Sequence, residues 1–235
     1  QSAPQAPATG PHRRRLAQRL RPAALDVEVL MVSEPRRTDV SAVVLAGGRS
    51  SRMGRPKALL PFGERPLIAL VLDLLNDLCD DCIVVAGPDQ ELPALAARVV
   101  RDPVPHLGPV AGLAVGLAAA RRSRAFVSSC DAPFLNLELV RWLLDQPGEW
   151  DVVIPQWQGR LNPLHAVYAT SLAGRYHELL QAGRRRPVDL FPEIRVRTVP
   201  EEDIRRFDPE GRSFLNLNSP QEYRAALDLA ARSPK

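Results

Sequence analysis

Val43-Val44-Leu45-Ala46-Gly47-Gly48-Arg49-Ser50-Ser51-Arg52-Met53-Gly54-Arg55-Pro56-Lys57 is the stretch on which the reading of this chain turns. An apolar run stops at paired glycines, and a loop of small, hydroxyl and basic residues follows, which is how a strand feeds a phosphate-binding loop. Its last residue stands out. Of thirty-one basic residues only Lys57 and Lys235 are lysines, so arginine carries every other positive side-chain charge. A compact ammonium can sit between phosphate oxygens in a way that a planar guanidinium fork cannot, a physical reason for lysine at position 57; the alternative is that the residue falls there by chance. Neither Gly-x-x-x-x-Gly-Lys-Ser/Thr nor Gly-x-Gly-x-x-Gly occurs in the loop, which argues against P-loop NTPases and classical dinucleotide dehydrogenases.

Outward from this stretch, short β-rich runs alternate with helical patterns. Strands are expected at Ala42 to Ala46, Cys82 to Ala86, Arg98 to Arg101, Ala125 to Ser129, Asp151 to Ile154, His165 to Thr170 and Arg195 to Val199. Helices are expected at Pro66 to Leu78, Leu92 to Ala97, Gly108 to Arg121, Leu137 to Leu144, Leu172 to Gly183 and from Pro220 onward. The alternation predicts an α/β fold: a Rossmann-like, doubly wound and mostly parallel sheet with a small antiparallel excursion. At 235 residues and 45% apolar content the chain can bury a large core, and its scarce aromatics and plentiful alanine, leucine and valine suit helices packed on a parallel sheet. Residues 1–38, rich in proline, alanine and arginine, read as a disordered tail, with Met31 as a candidate start, and residues 39–235 as one domain.

The formal charge of +4 comes largely from arginine clusters at 13–15, 121–124 and 184–186, which read as solvated surface. They are not interleaved with aromatics, so no nucleic-acid partner is expected, while anionic small molecules remain open. No apolar run is long enough to span a bilayer, so no membrane partner is expected. Three cysteines make no disulfide framework and point to a reducing, cytoplasmic compartment. Cys79 and Cys82 have redox spacing, but they sit where a helix runs into a strand, whereas a thioredoxin-like pair precedes its helix; they read as structural thiols.

In a doubly wound sheet the ligand lies beyond the carboxyl ends of the strands. Ala46-Gly47-Gly48, Asp102 and Ser128-Ser129-Cys130-Asp131-Ala132-Pro133 all fall at such ends. Asp131, followed closely by a proline that cannot extend a ladder, would project over the sheet edge. It reads either as a Mg²⁺ ligand beside a triphosphate or as the cap of the next helix.

These residues resemble the MobA-like nucleotidyltransferases, a Rossmann-like group with the nucleotide-diphospho-sugar transferase type of fold that includes molybdenum cofactor guanylyltransferase. The resemblance begins with Leu45 to Leu60 and continues through Gly108 to Leu113, Cys130 to Leu135, Asn162 to Tyr168 and Phe214 to Pro220. It implies that Leu45, Ala46, Gly47 and Gly48 meet the nucleotide with Arg52, that Lys57 is a phosphate ligand, that Asp131 holds Mg²⁺ and that Asp102 contacts the guanosine. Lys57 and Asp131 would be the catalytic pair, and His165, Asn216 and Asn218 would lie toward the acceptor, His165 having a structural alternative. Where some members carry an asparagine after the second strand, this chain reads Ala86-Gly87-Pro88.

Relatives that use CTP tend to read Ala-Ala-Gly at the loop, so Ala46-Gly47-Gly48 favours GTP. The implied reaction is transfer of GMP from GTP to the phosphate of molybdopterin, with release of pyrophosphate and with Mg²⁺. The implied partners are GTP, the molybdenum cofactor, molybdenum insertion proteins and apo-molybdoenzymes. The alternatives are CMP transfer to a pterin, nucleotidyl transfer to a sugar phosphate, and a non-catalytic cofactor-binding or insertion module.

Overall fold

Val40 to Leu45 is buried at every position, which a strand achieves only when helices cover both faces of its sheet. The computed structural model of the protein describes residues 35–47, 56–104 and 107–232. The expectations for Gly48, Arg52 and the greater part of the tail therefore lie outside the described residues.

In chain order the elements are β1 (Arg37–Leu45), β2 (Pro61–Phe62), β3 (Arg65–Pro66), α1 (Leu67–Leu78), β4 (Cys79–Ala86), β5 (Arg98–Arg101), α2 (Pro109–Ala119), β6 (Arg124–Ser129) and α3 (Leu137–Leu144). There follow β7 (Val152–Trp157), β8 (Arg160–Leu161), β9 (His165–Ala169), α4 (Ala173–Gln181), β10 (Val196–Val199), α5 (Glu201–Ile204) and α6 (Pro220–Arg232). The main sheet runs β10-β7-β9-β6-β1-β4-β5, with β8 paired to β7. β6, β1, β4 and β5 are mutually parallel, and β9 runs antiparallel between β6 and β7, the excursion that the sequence pattern predicts.

Side chains alternate across the sheet. Ala42 and Val44 pack with Ile68, Leu72 and Leu75 of α1 and Leu139 and Leu143 of α3, whereas Val43 and Leu45 face Val110, Leu113 and Leu117 of α2. Close approach of α2 requires glycine. A β-carbon on Gly116 would lie 2.4 Å from Val43 Cγ1 and 3.0 Å from Val85 Cγ2, far inside contact distance.

One expected element is absent. Leu92 to Ala97 forms no helix, because the segment is too short to offset nucleation and carries Pro93; it runs irregularly, with Leu92 and Leu95 against the core and the Ala96 carbonyl accepting from Asn76 Nδ2 at 3.1 Å. β1 begins at Arg37 instead of Ala42, and β4 begins at Cys79 instead of Cys82. The β2–β3 pair is too short to leave a periodic signature.

At the amino ends of β1 and β4 sits a buried carboxylate. Asp81 accepts from Ser41 Oγ at 2.6 Å, from the Arg121 N–H at 3.0 Å and from Arg98 Nη2 at 2.7 Å. Burial alone would raise its pKa, but these donors outweigh burial and hold the carboxyl below its ordinary value. Far from the glycine loop, this network ties β1, β4, β5 and the turn before β6 together.

Candidate active site

Four chain segments converge at the carboxyl ends of β1 and β6. Pro56 leads into a single 3₁₀ turn, Lys57–Leu59, whose Ala58 is fully buried; this anchors the backbone and directs the lysine toward the sheet edge. Lys57 Nζ lies 2.6 Å from Asp131 Oδ2 and 2.8 Å from Asn218 Oδ1, joining residues 74 and 161 positions apart. The Asp131 side chain is 9% exposed and that of Lys57 21%, so the pair is largely shielded from bulk water.

Asp131 follows β6, whose register beside β1 ends at Leu45–Ser129, and the Cys130 N–H donates to the Leu45 carbonyl at 3.1 Å. The capping alternative for Asp131 fails. The next helix, α3, starts at Leu137, and its cap is Asn136, whose Oδ1 accepts from the Leu139 N–H at 3.0 Å. Asp131 is left with its carboxylate on Lys57 and its carbonyl on the Leu217 N–H at 3.4 Å.

That backbone bond brings in the third segment. Asn216 Oδ1 accepts from Ser129 Oγ at 3.3 Å, Asn218 Nδ2 donates to the Asn216 carbonyl at 3.3 Å, and the Asn218 N–H donates to Glu222 Oε2 at 2.8 Å at the start of α6. Both asparagines thus belong to the Lys57–Asp131 cluster. Ser129 and Glu222 are the residues that sequence reasoning missed here. Ser129 lay in the quoted strand-end string but had no distinguishing spacing, and Glu222 supports the site only through the backbone of Asn218.

Leu45, Ala46 and Gly47 reach the same rim from β1. The Ala46 N–H continues the ladder, donating to the Val85 carbonyl at 2.8 Å, so it is Gly47 that opens the loop beyond the sheet. Asp102 closes β5, three ladder steps from Asp131, a span of roughly 14 Å at ordinary strand spacing. Its Oδ1 accepts from the Val104 N–H at 3.1 Å and its N–H donates to the Ala86 carbonyl at 2.8 Å, so Asp102 is held at the rim by its own turn.

His165 is a correction. It pairs with Ser128 across the β6–β9 ladder and is 3% exposed, its ring set edge-on between Phe126 and Phe214 at 5.2 and 4.9 Å. Neither ring nitrogen has a hydrogen-bond partner among the described residues, and burial pushes the imidazole down to about 4. A neutral ring enclosed by aromatics is part of the wall behind the site and offers no group to an acceptor; the pattern His-Ala-Val-Tyr reads equally as a buried strand.

The MobA-like NTP transferase domain matches residues 42–194. The chain belongs to this family. Curated relatives include a protein named "Probable molybdenum cofactor guanylyltransferase" from Pelotomaculum thermopropionicum, 34% identical over 193 residues, which span 82% of this chain and 94% of that one. A protein of the same name from Mycobacterium tuberculosis is 42% identical over 172 residues, or 69% and 85% of the two chains. Among solved structures, molybdopterin-guanine dinucleotide biosynthesis protein A from Archaeoglobus fulgidus superposes with a TM-score of 0.71 at 24% identity, covering 82% of this chain and all of that one. A 2-C-methyl-D-erythritol 4-phosphate cytidylyltransferase from Thermus thermophilus shares the fold at a TM-score of 0.63 and 22% identity, over 83% of this chain and all of that one. In this MobA-like chain Lys57 and Asp131 fall within the matched stretch, and Asn216 and Asn218 lie beyond it.

Proposed function

We propose that residues 39–235 form a guanylyltransferase domain that transfers GMP from GTP to the terminal phosphate of molybdopterin. The observation that carries this is the meeting of Lys57, Asp131 and Asn218 at the carboxyl edge of a parallel sheet, together with relatives named for that activity.

The triphosphate lies over the β1–β6 edge beside Lys57, and the base lies toward Asp102 at the end of β5. An oxygen of the acceptor phosphate attacks the α-phosphorus of GTP. A new phosphorus–oxygen bond forms as the bond from the α-phosphorus to the bridging oxygen breaks, and pyrophosphate leaves with the electron pair. No general base is needed, because a phosphate monoester with a second pKa of about 6 is already largely a dianion at neutral pH. Catalysis then rests on positioning and charge. The Lys57 ammonium, which is paired with Asp131 in this structure, also faces the phosphates and offsets part of their negative charge. Asn218 orients the lysine, and Ser129 orients Asn216 beside it.

The donor set suits Mg²⁺. Asp131 and Asn218 present hard oxygen donors within reach of one cation, Lys57, and a magnesium ion that takes its remaining ligands from phosphates and water needs only one or two protein oxygens. When bound there, Mg²⁺ would supply charge neutralisation of the phosphate oxygens. The enzyme is proposed to work in the cytoplasm, delivering product to molybdenum insertion proteins and apo-molybdoenzymes. Among the described residues no helix is long and apolar enough to cross a membrane.

The test is pyrophosphate release by purified protein with Mg²⁺ and molybdopterin, comparing GTP, CTP, ATP and UTP at equal concentration. GTP-selective release is expected. CTP selectivity would overturn the base assignment and leave a cytidylyltransferase; no release with any nucleotide would overturn transfer to this acceptor.

A further inference from the structure

Past its last backbone bond, at Ala46, the β1–β4 ladder is continued by a side chain. Gln90, four residues beyond the end of β4, donates from Nε2 to the Ala46 carbonyl at 3.0 Å and accepts at Oε1 from the Gly87 N–H at 3.1 Å. The two backbones approach closely here, since a β-carbon on Gly47 would lie 3.9 Å from the Gly87 nitrogen. Arg101, on β5, fastens the same turn from the other side, donating from Nη1 to the carbonyls of Gly87 at 3.0 Å and Gln90 at 2.6 Å. One amide therefore ties the first residues of the glycine loop to the Ala86-Gly87-Pro88 turn. The bridge calls for an amide: it needs a donor and an acceptor on one side-chain terminus, whereas a carboxylate only accepts and an ammonium only donates.

We propose that Gln90, supported by Arg101, is a positioning residue that fixes the separation of Ala46 and Gly47 from the neighbouring turn and thereby sets nucleotide affinity. It touches neither the reacting phosphorus nor the Lys57–Asp131 pair, so its effect falls on binding of the nucleotide and not on the chemical step. The proposal rests on the assignment of the 45–47 segment to nucleotide binding.

The experiment compares wild type with Gln90→Met, which keeps the side-chain length and removes both hydrogen bonds, and Gln90→Glu, which keeps the bond from Gly87 but sets a carboxylate against the Ala46 carbonyl. The expected result is a KM for the nucleotide raised about tenfold in Gln90→Met, as two net hydrogen bonds allow, with kcat within about twofold and the protein still folded at the assay temperature, its melting temperature lowered by no more than about 8 °C. Gln90→Glu should raise KM at least as far, and Arg101→Met should shift it in the same direction. An unchanged KM in Gln90→Met overturns the proposal, as does a fall in kcat at constant KM, or a loss of folded protein by circular dichroism that accounts for the lost activity. Wild type is measured first with all four nucleotides. If it prefers CTP, the guanylyl assignment falls, and the Gln90 variants are judged with CTP by the same criteria. If it binds a nucleotide without turnover, the transfer reaction falls, and the variants are judged by the Kd for that nucleotide. If it binds none, both proposals fall.

Discussion

Replacing Gly116 by alanine should destabilise the protein even though alanine is the better helix former. In the interior of α2 the exchange gains about 1 kcal/mol of helix propensity. Against this, the added methyl would sit 2.4 Å from Val43 Cγ1 and 3.0 Å from Val85 Cγ2, where carbon atoms ordinarily stand about 3.5–4.0 Å apart. Val43 cannot easily yield. It is β-branched and fully buried, and its strand is hydrogen-bonded on both sides, to β4 and β6. Relief then requires α2 to move off the sheet by about 1 Å, loosening Val110, Leu113 and Leu117 together, and a contact this short puts the overpacking at the upper end of its usual cost, about 2–3 kcal/mol.

The net expectation is a loss of about 1–2 kcal/mol, lowering the melting temperature by roughly 2–8 °C for a chain of this size. Gly174→Ala in α4 is the control, because nothing lies within 4 Å of the added carbon; it should be neutral or stabilising by about 0.5 kcal/mol. Urea and thermal unfolding followed by far-UV circular dichroism measure both. A Gly116→Ala variant as stable as wild type would refute the claim that glycine at 116 is required by the contact of α2 with β1.

Lys57→Ala should lower kcat/KM by at least about a hundredfold while the circular dichroism spectrum stays native, and near-normal turnover would remove Lys57 from the mechanism. Asp131→Asn should weaken the Mg²⁺ dependence and the rate together; an unchanged metal titration would show that the carboxylate only anchors Lys57. His165, held down at about 4 against about 6.5 when unfolded, takes up its proton first in the unfolded chain, so stability should fall as pH drops from about 6.5 to about 4; His165→Phe should abolish that slope and retain activity. The Asp81 carboxyl, held below its ordinary value, contributes stability that is present above pH ~4 and lost as the pH falls through its lower folded pKa; Asp81→Asn should cost about 2 kcal/mol at pH 7 in chemical denaturation and flatten that acid limb. The thiols of Cys79, Cys82 and Cys130 are buried, and burial pushes Cys130 up to about 12, so none should react with a thiol reagent until denaturant is added; rapid labelling of the native protein would contradict their burial.

The mostly parallel sheet and the rim were legible in the sequence because they follow from period and topology, whereas the order of the strands was not. Val40 to Leu45 is apolar at every position but Ser41 and so must be covered on both faces, and parallel strands put their carboxyl ends, with Gly47, Asp102 and Asp131, on one edge. Lys57 and Asp131 were legible as candidates, but their 2.6 Å contact was not, since no spacing rule joins residues 74 apart. Two expectations failed for local reasons. Leu92 to Ala97 has helical spacing but neither the length nor the proline-free backbone to nucleate, and His165 sits at a strand start where polarity says nothing of burial; only the aromatic neighbours Phe126 and Phe214, brought in by folding, decide it. Gln90 went unread because its two bonds go to backbone atoms, which carry no sequence signal.

The order in which the site is assembled follows from the 161 residues that separate Lys57 from Asn218. On the ribosome the glycine loop, the lysine and the aspartate all emerge well before the asparagine that completes their cluster and the helix that holds it. A nascent chain can therefore pair its two charges and lay down the sheet while still lacking the third corner. A premature stop after α4 would leave the family's matched stretch almost whole and the pocket unfinished, a truncated product easily mistaken for a competent one by sequence alone.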